Sequence, residues 1–227
     1  PLQAVRQRRM AVPCAVGMAL PRHPGDEPVV QHLRSGPDEV EVGEAIRTQV
    51  TPRDDIFVTT KVWPTDVADG RLQRSAEASL KRLGLEQVDL LLIHWPNPSQ
   101  DRYAEAWRAL VDVRERGLAR SIGVSNFAEA HLERIIAETG VTPAVNQVEL
   151  HPYFPQPGMR AVHDRLGIVT ESWSPLGKRQ APFAERPVAE AAAAHGVEPG
   201  QVILRWQVQL GAIPIPKSAD PSRQRAN

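Results

Sequence analysis

Val88-Asp89-Leu90-Leu91-Leu92-Ile93-His94-Trp95-Pro96 is the stretch on which the fold class turns. Its apolar run has the length of a strand and stops abruptly at a histidine, an indole and a proline. Outward from it, five further short apolar runs recur, at residues 56–60, 121–124, 144–148, 168–172 and 212–215. Longer amphipathic stretches separate them. Such alternation predicts parallel strands joined by helices, repeated at the scale of one strand, helix, strand unit.

The connecting segments carry their own periodicity. Leu72, Ala76, Leu80 and Leu83 fall at helical spacing while Arg71, Arg74, Glu77, Lys81 and Arg82 lie off that stripe, which predicts a surface helix with one buried side. Tyr103, Trp107, Leu110 and Val111 repeat the pattern ahead of Gly117, a C-terminal cap. Asn126 with Glu129 three residues on reads as a capping box, opening a helix that buries Leu132, Ile135 and Ile136 and closes at Gly140. Residues 187–210 predict two consecutive helices split near 196–200, with Val202, Ile203 and Trp206 on one face. Residues 1–36 hold five Arg, no Lys and no clear periodicity, and read as an irregular segment. Within it, residues 10–20 and 28–33 are the candidates for makeshift strands, and Pro13 and Pro28 restrict them to edge or terminal positions.

Composition bounds the function. With 227 residues, 41% of them hydrophobic and 24% charged, the chain has the makeup of one globular domain. Twenty-seven basic side chains balance 27 acidic ones, so no electrostatic grip on nucleic acid is expected. Cys14 is the sole cysteine, which excludes an intrachain disulfide and suits a reducing, cytoplasmic compartment. The seven histidines form no zinc-type pair, and no metal is expected. No stretch approaches the roughly 18 apolar residues of a membrane span, so no membrane partner is expected. Arg6, Arg8 and Arg9 ahead of residues 10–20 superficially match a signal peptide, but Pro13 and Gly17 interrupt the apolar part, and none is expected.

Two architectures fit the alternation, an open doubly wound sheet and a closed (β/α)8 barrel. The glycine-rich fingerprint of the first is absent. In a barrel, the residues that end the runs converge at one mouth, where barrel enzymes keep their active sites. Those residues are Lys61, His94, Ser125 with Asn126, Gln147 within its run, Trp173 with Ser174, and Lys217 with Ser218.

At these positions the chain resembles a family. Val58-Thr59-Thr60-Lys61-Val62-Trp63, Leu91-Leu92-Ile93-His94-Trp95-Pro96, Ile122-Gly123-Val124-Ser125-Asn126-Phe127, Asn146-Gln147-Val148-Glu149-Leu150-His151-Pro152-Tyr153, Trp173-Ser174-Pro175-Leu176-Gly177 and Ile215-Pro216-Lys217-Ser218 resemble the aldo-keto reductases, in that family's order. The resemblance implies an α/β fold, a (β/α)8 TIM barrel with strands 3 to 8 recognisable and strands 1 and 2 not, in a domain of residues 37–227. It implies NADPH-dependent reduction of a small-molecule aldehyde or ketone by a cytoplasmic monomer. A tyrosine tuned by a lysine, itself paired with an aspartate, protonates the product alkoxide. By the same resemblance Lys61 is the tuning lysine and His94 orients the carbonyl. Ser125, Asn126 and Gln147 hold the nicotinamide carboxamide, Trp173 lies beneath the ring, and Ser174 and Leu176 flank the cofactor. Lys217, Ser218 and Arg223 take the 2′-phosphate, and Asn227 the adenine side, with Ala226 where the family usually has Glu. Trp63 and Trp95 line the substrate pocket.

The resemblance also leaves an expectation unmet. The family's tyrosine and aspartate precede the helix that begins near Asp38, yet residues 1–36 hold no tyrosine, and their acids are Asp26 and Glu27. The chain's tyrosines are Tyr103, spaced with Trp107 for packing, and Tyr153, which reads as a pocket wall. The family's C-terminal tail beyond the helix at Pro221 is also not seen. The expectation is impaired carbonyl reduction with NADPH binding retained. Two alternatives stand beside it: a non-catalytic NADPH-binding module, and Schiff-base chemistry at Lys61, which borohydride trapping separates from hydride transfer.

Overall fold

A computed structural model describes residues 29–32, 38–63, 71–178 and 181–227. One parallel sheet runs through them in chain order: β1 (Val29–His32), β2 (Ile56–Val62), β3 (Val88–Ile93), β4 (Ala119–Ser125), β5 (Val145–Glu149), β6 (Val169–Trp173) and β7 (Ile213–Pro214). The connections hold α1 (Asp38–Thr48), α2 (Arg71–Leu83), α3 (Tyr103–Glu115), α4 (Glu129–Thr139), α5 (Pro157–Leu166), and the pair α6 (Arg186–His195) and α7 (Pro199–Gln209). A short α8 (Pro221–Ala226) follows β7. Strands β2 to β7 are the six apolar runs of the sequence.

The segment expected to be irregular differs at one place. Val29–His32 forms β1, pairing in parallel with β2 from Val29 beside Ile56 to His32 beside Thr59. It falls within residues 28–33, one of the two stretches singled out as candidate strands, and begins just after Pro28, the terminal position proline permits. The remainder of residues 1–36 lies outside the described residues, as do the Arg-rich stretch and residues 10–20.

Strand parity sorts the core into two layers. Ile56, Val58, Val62, Leu91, Ile93, Ile122 and Val124 pack outward with α2, α3 and α4, while Phe57, Leu90, Leu92, Val145 and Ile215 form a smaller cluster on the opposite side. The sheet curls about that smaller cluster. In a flat sheet β2 and β5 would stand about 14 Å apart, yet the Lys61 and Gln147 side chains from those strands meet at 2.7 Å. Gly123 on β4 makes room inside: a Cβ there would come within 2.6 Å of the Val145 carbonyl oxygen and 2.8 Å of Leu92.

Helix stripes fall where the spacing places them, and α2 buries Leu72, Ala76, Leu80 and Leu83. Trp107 of α3 is fully buried, and its indole N–H donates to Thr139 Oγ1 at 3.1 Å and to the Val141 carbonyl at 3.3 Å. Two details depart from the sequence reading. The capping box does not use Asn126: the N-cap lies two residues later at Ala128, whose N–H donates to His131 Nδ1 at 3.1 Å. On α7 the buried side is Ile203, Leu204 and Gln207. Gln207 displaces Trp206 from the core because its Nε2 donates to the Pro175 carbonyl at 2.9 Å, holding the turn after β6.

Several buried polar groups inside this frame are paired across elements. At the amino-terminal end of the sheet, the buried Asp89 carboxylate accepts from the Val58 N–H at 2.8 Å and the Arg53 guanidinium at 2.8 Å, and also pairs with Arg120 at 3.1 Å. Glu39 of α1, fully buried, accepts from Thr60 at 2.6 Å and Arg82 at 2.7 Å. His163 of α5 lies between Asn146 Nδ2 at 2.9 Å and Thr170 Oγ1 at 2.8 Å. Asn146 Nδ2 also donates to the Phe127 carbonyl at 2.9 Å, so this histidine braces the turn that follows Asn126.

Burial lowers the His163 pKa from 6.5 to about 4. A depressed pKa means that the unfolded chain binds the proton first, so stability is intact above pH 6.5 and falls as pH drops towards 4. The expected loss over that window is about 3 kcal/mol. Urea melts as a function of pH check it, and His163→Gln should flatten this part of the profile.

Among the described residues, no helix is long and apolar enough to cross a membrane.

Candidate active site

The concave side of the sheet is built from laterally paired residues, since partners in a parallel ladder point the same way. Lys61 stands beside Leu92, and Leu92 beside Gly123. One layer nearer the mouth, Ser125 pairs with Gln147, Gln147 with Glu171, and Glu171 with Ile213. The Lys61 side chain extends across the space towards β5.

There it enters a line of three polar groups. The Lys61 ammonium donates to Gln147 Oε1 at 2.7 Å, and Gln147 Nε2 donates to Glu171 Oε2 at 2.5 Å. All three are buried, at 5%, 1% and 0% exposure. Burial pushes the Glu171 carboxyl up to about 7, against the hydrogen bond from Gln147 and the Lys61 charge, which pull it down. Its Oε1 has no hydrogen-bond partner among the described residues.

A second cluster closes around Asn126, which sits at φ +64°, in the left-handed region that asparagine tolerates better than most residues. Its Nδ2 donates to the His94 carbonyl at 3.1 Å and to Ser125 Oγ at 3.0 Å, while its Oδ1 accepts from Trp173 Nε1 at 2.8 Å. Ser125 Oγ in turn donates to the Gln147 carbonyl at 2.9 Å. One amide thus ties the ends of β3, β4 and β6 together, which explains why it is unavailable as a helix cap.

The mouth is aromatic. The His94 ring lies 4.5 Å from that of Trp63 and 6.5 Å from that of Trp95. These indoles are exposed to 46% and 44%. The Lys178 ammonium sits 4.5 Å over the Trp173 ring and pairs with Glu149 at 3.0 Å. Ser174 and Lys178 both take positive φ, and Leu176 between them is half-buried.

Of the residues singled out in the sequence, Lys61, His94, Ser125, Asn126, Gln147 and Trp173 are linked directly or through one partner. Trp63 and Trp95 flank His94. Lys217, Ser218, Arg223 and Asn227 lie apart from that network, on the segment after β7. Asp220 caps α8 by accepting from the Ser222 and Arg223 N–H groups at 2.8 and 3.1 Å, Ser218 Oγ accepts from the Asp220 N–H at 3.1 Å, and Arg223 and Lys217 are exposed.

The tyrosines are engaged elsewhere. Tyr103 packs edge-on against Phe127, centroids 5.8 Å apart, and its hydroxyl accepts from Arg134. Tyr153 has half its surface exposed and its hydroxyl donates to Glu185 at 2.6 Å. Sequence reading passed over Glu171 and Lys178. The signal for Glu171 was present in Val-Thr-Glu-Ser-Trp, where a charged residue shares the parity of Trp173 and so faces inward. Lys178 carried no comparable signal.

Comparison with known proteins shows the family. The Aldo/keto reductase family profile matches residues 34–227. The chain is 56% identical over 190 residues to the 2,5-diketo-D-gluconic acid reductase B of Corynebacterium sp. (strain SHS752001), covering 84% of this chain and 69% of that protein. It is 45% identical over 191 residues to the methylglyoxal reductase DkgA of Yersinia pestis, covering 84% of this chain and 68% of that one. Among solved structures, a variant of Gox0644 in complex with NADPH superposes with a TM-score of 0.82 at 41% identity, over 88% of this chain and 72% of that one. The chain belongs to the aldo/keto reductase family.

Proposed function

We propose that the chain binds NADPH at the concave mouth and reduces the carbonyl group of small aldehydes or ketones. The observation that carries this reading is the convergence of the Lys61–Gln147 pair with the Asn126 clasp on His94 and Trp173. Relatives named for reducing 2,5-diketo-D-gluconate and methylglyoxal, and a similar structure solved with NADPH, support it. The seven described strands are then the greater part of an eight-stranded barrel, and a reducing cytoplasm suits its one cysteine.

The donor set fits the cofactor chemically. A carboxamide NH2 needs acceptors, and Ser125 Oγ, Asn126 Oδ1 and Gln147 Oε1, each accepting one bond within the protein, keep a further lone pair for it. Trp173, fixed by its N–H to Asn126, presents a half-buried indole face suited to stacking a flat ring. Lys217, Ser218 and Arg223 offer the cations and hydroxyl that a phosphate monoester requires, with Ser174 and Leu176 on the turn alongside and Asn227 towards the base. When bound, NADPH supplies the hydride.

The residues of the chain do the rest. His94, held against Trp63, presents its ring to the carbonyl oxygen. Trp63 and Trp95 wall the opening and exclude water from it. Lys61 places positive charge where the alkoxide develops, which stabilises it electrostatically. With Tyr103 in the outer core and Tyr153 on Glu185, the chain brings no tyrosine hydroxyl to that oxygen, so proton delivery limits turnover.

The experiment pairs binding with turnover. The 227-residue chain is expected to quench its tryptophans on titration with NADPH. It should reduce methylglyoxal or 2,5-diketo-D-gluconate about a hundred to ten thousand times more slowly than a family member with its acid in place. Absence of NADPH binding overturns the reading; reduction at full enzymatic rate overturns the impairment. The placement of both tyrosines favours one second reading, a non-catalytic NADPH-binding module, which binding with no turnover at all would establish.

A further inference from the structure

We propose that Glu171 is a positioning residue of this site: its carboxylate turns the Gln147 amide so that Oε1 faces Lys61 and the ligand, and through that amide it supplies counter-charge to the lysine. The ligand half of this proposal rests on the NADPH reading above; the charge half does not.

The two ends of a glutamine amide are nearly the same shape, so packing alone does not decide which end faces the mouth. Chemistry on either side does. An ionised carboxylate only accepts hydrogen bonds and an ammonium only donates them, so the line Lys61, Gln147, Glu171 has one consistent polarity. Nε2 is committed to Glu171, and Oε1 keeps a second lone pair for an N–H of the arriving carboxamide. Every member is buried, where such a chain is stronger than in water and costlier to break.

The carboxyl is also poised to change this. Protonated Glu171 carries an O–H that can donate to an amide oxygen, which removes the reason for Nε2 to face it. With the carboxyl held up to about 7, the lock forms as pH rises through neutrality and loosens as pH falls. The groups that face it are few: Lys61 from β2, the neutral Gln147 from β5 and the apolar Ile213 from β7, with Glu149 and His151 farther out at the mouth.

The test has a cofactor-free arm and a binding arm. In the first, the side-chain carboxyl carbons of 13C-labelled glutamates are followed by NMR. One titration with a midpoint near neutrality is expected, absent in Glu171→Gln and moved upward in Lys61→Met, because the lysine charge lowers it. A midpoint that Lys61→Met leaves unchanged overturns the charge relay. In the second, NADPH affinity is measured by tryptophan-to-NADPH energy transfer across neutral pH. Glu171→Leu should weaken binding about tenfold above neutrality, the worth of one charge-assisted hydrogen bond, and lose the fall in affinity below neutrality. Glu171→Gln, isosteric and able to accept from Nε2, should recover most of the affinity without the pH step. Phosphate ionisation of the ligand contributes equally to all variants and cancels in the comparison. Wild-type affinity and pH profile in Glu171→Leu overturn the positioning role, and thermal melts identify a variant that has merely lost its fold. Should the wild type bind no NADPH while the Lys61–Glu171 coupling is present, the cofactor reading falls and the charge relay stands.

Discussion

Asn126→Ala is expected to weaken NADPH binding by about a hundredfold, roughly 3 kcal/mol. Three contributions add to that figure. The variant loses the amide that would hold the ligand, and a hydrogen bond of this kind is worth about 1 kcal/mol net. It leaves the Trp173 indole N–H without the acceptor that fixes the ring plane and the His94 carbonyl without its donor. It also asks alanine to adopt φ +64°, which costs about 1 kcal/mol more than for asparagine. Asn126→Gly separates the last effect, because glycine takes that backbone freely. Its affinity should lie between those of alanine and wild type, nearer alanine. Equal affinities for the two variants would mean that the strained backbone contributes nothing, and wild-type affinity in both would remove Asn126 from the ligand site.

Trp107→Ala is expected to cost about 4 kcal/mol of stability, the usual loss for deleting a fully enclosed indole. For a domain of this size that lowers Tm by about 10 °C. The residue is placed to have this effect: its ring has no exposed surface, and its N–H reaches both Thr139 at the end of α4 and the Val141 carbonyl on the way into β5. Trp107→Phe refills much of the volume and loses the donor, so about 2 kcal/mol is expected there. Calorimetric melts check both. Because Trp107 lies on the outer layer, NADPH affinity measured well below the transition should be unchanged; an affinity that falls in step with Tm would show that the two layers are not independent.

The strand pattern was legible because buried parallel strands are short apolar runs and the helices between them keep one wet face. Leu72, Ala76, Leu80 and Leu83 illustrate this, since periodicity and burial coincide residue by residue. Features that depend on partners distant in sequence were not legible. Asn126 looks like a cap by local spacing, but its amide is claimed by His94 and Trp173, 32 and 47 residues away. Trp206 has the size of a core residue and gives way to Gln207, whose partner is the Pro175 carbonyl. Glu171 follows the same logic. An acid in a strand reads as solvated until the curl of the sheet brings Lys61 to the other end of Gln147, and the family resemblance, which names the ends of the strands, does not reach a residue one layer below.

The Asp89 junction has a bearing on how this scaffold tolerates change. By clasping Arg53, Arg120 and the Val58 amide at the rear of the sheet, it fastens three neighbouring strands far from where ligands enter. Segments at the entrance can therefore be exchanged without loosening that fastening, and loops grafted after β3 or β6 should inherit a rigid foundation. Diversification of such molecules, natural or engineered, has its anchor at the back and its freedom at the front.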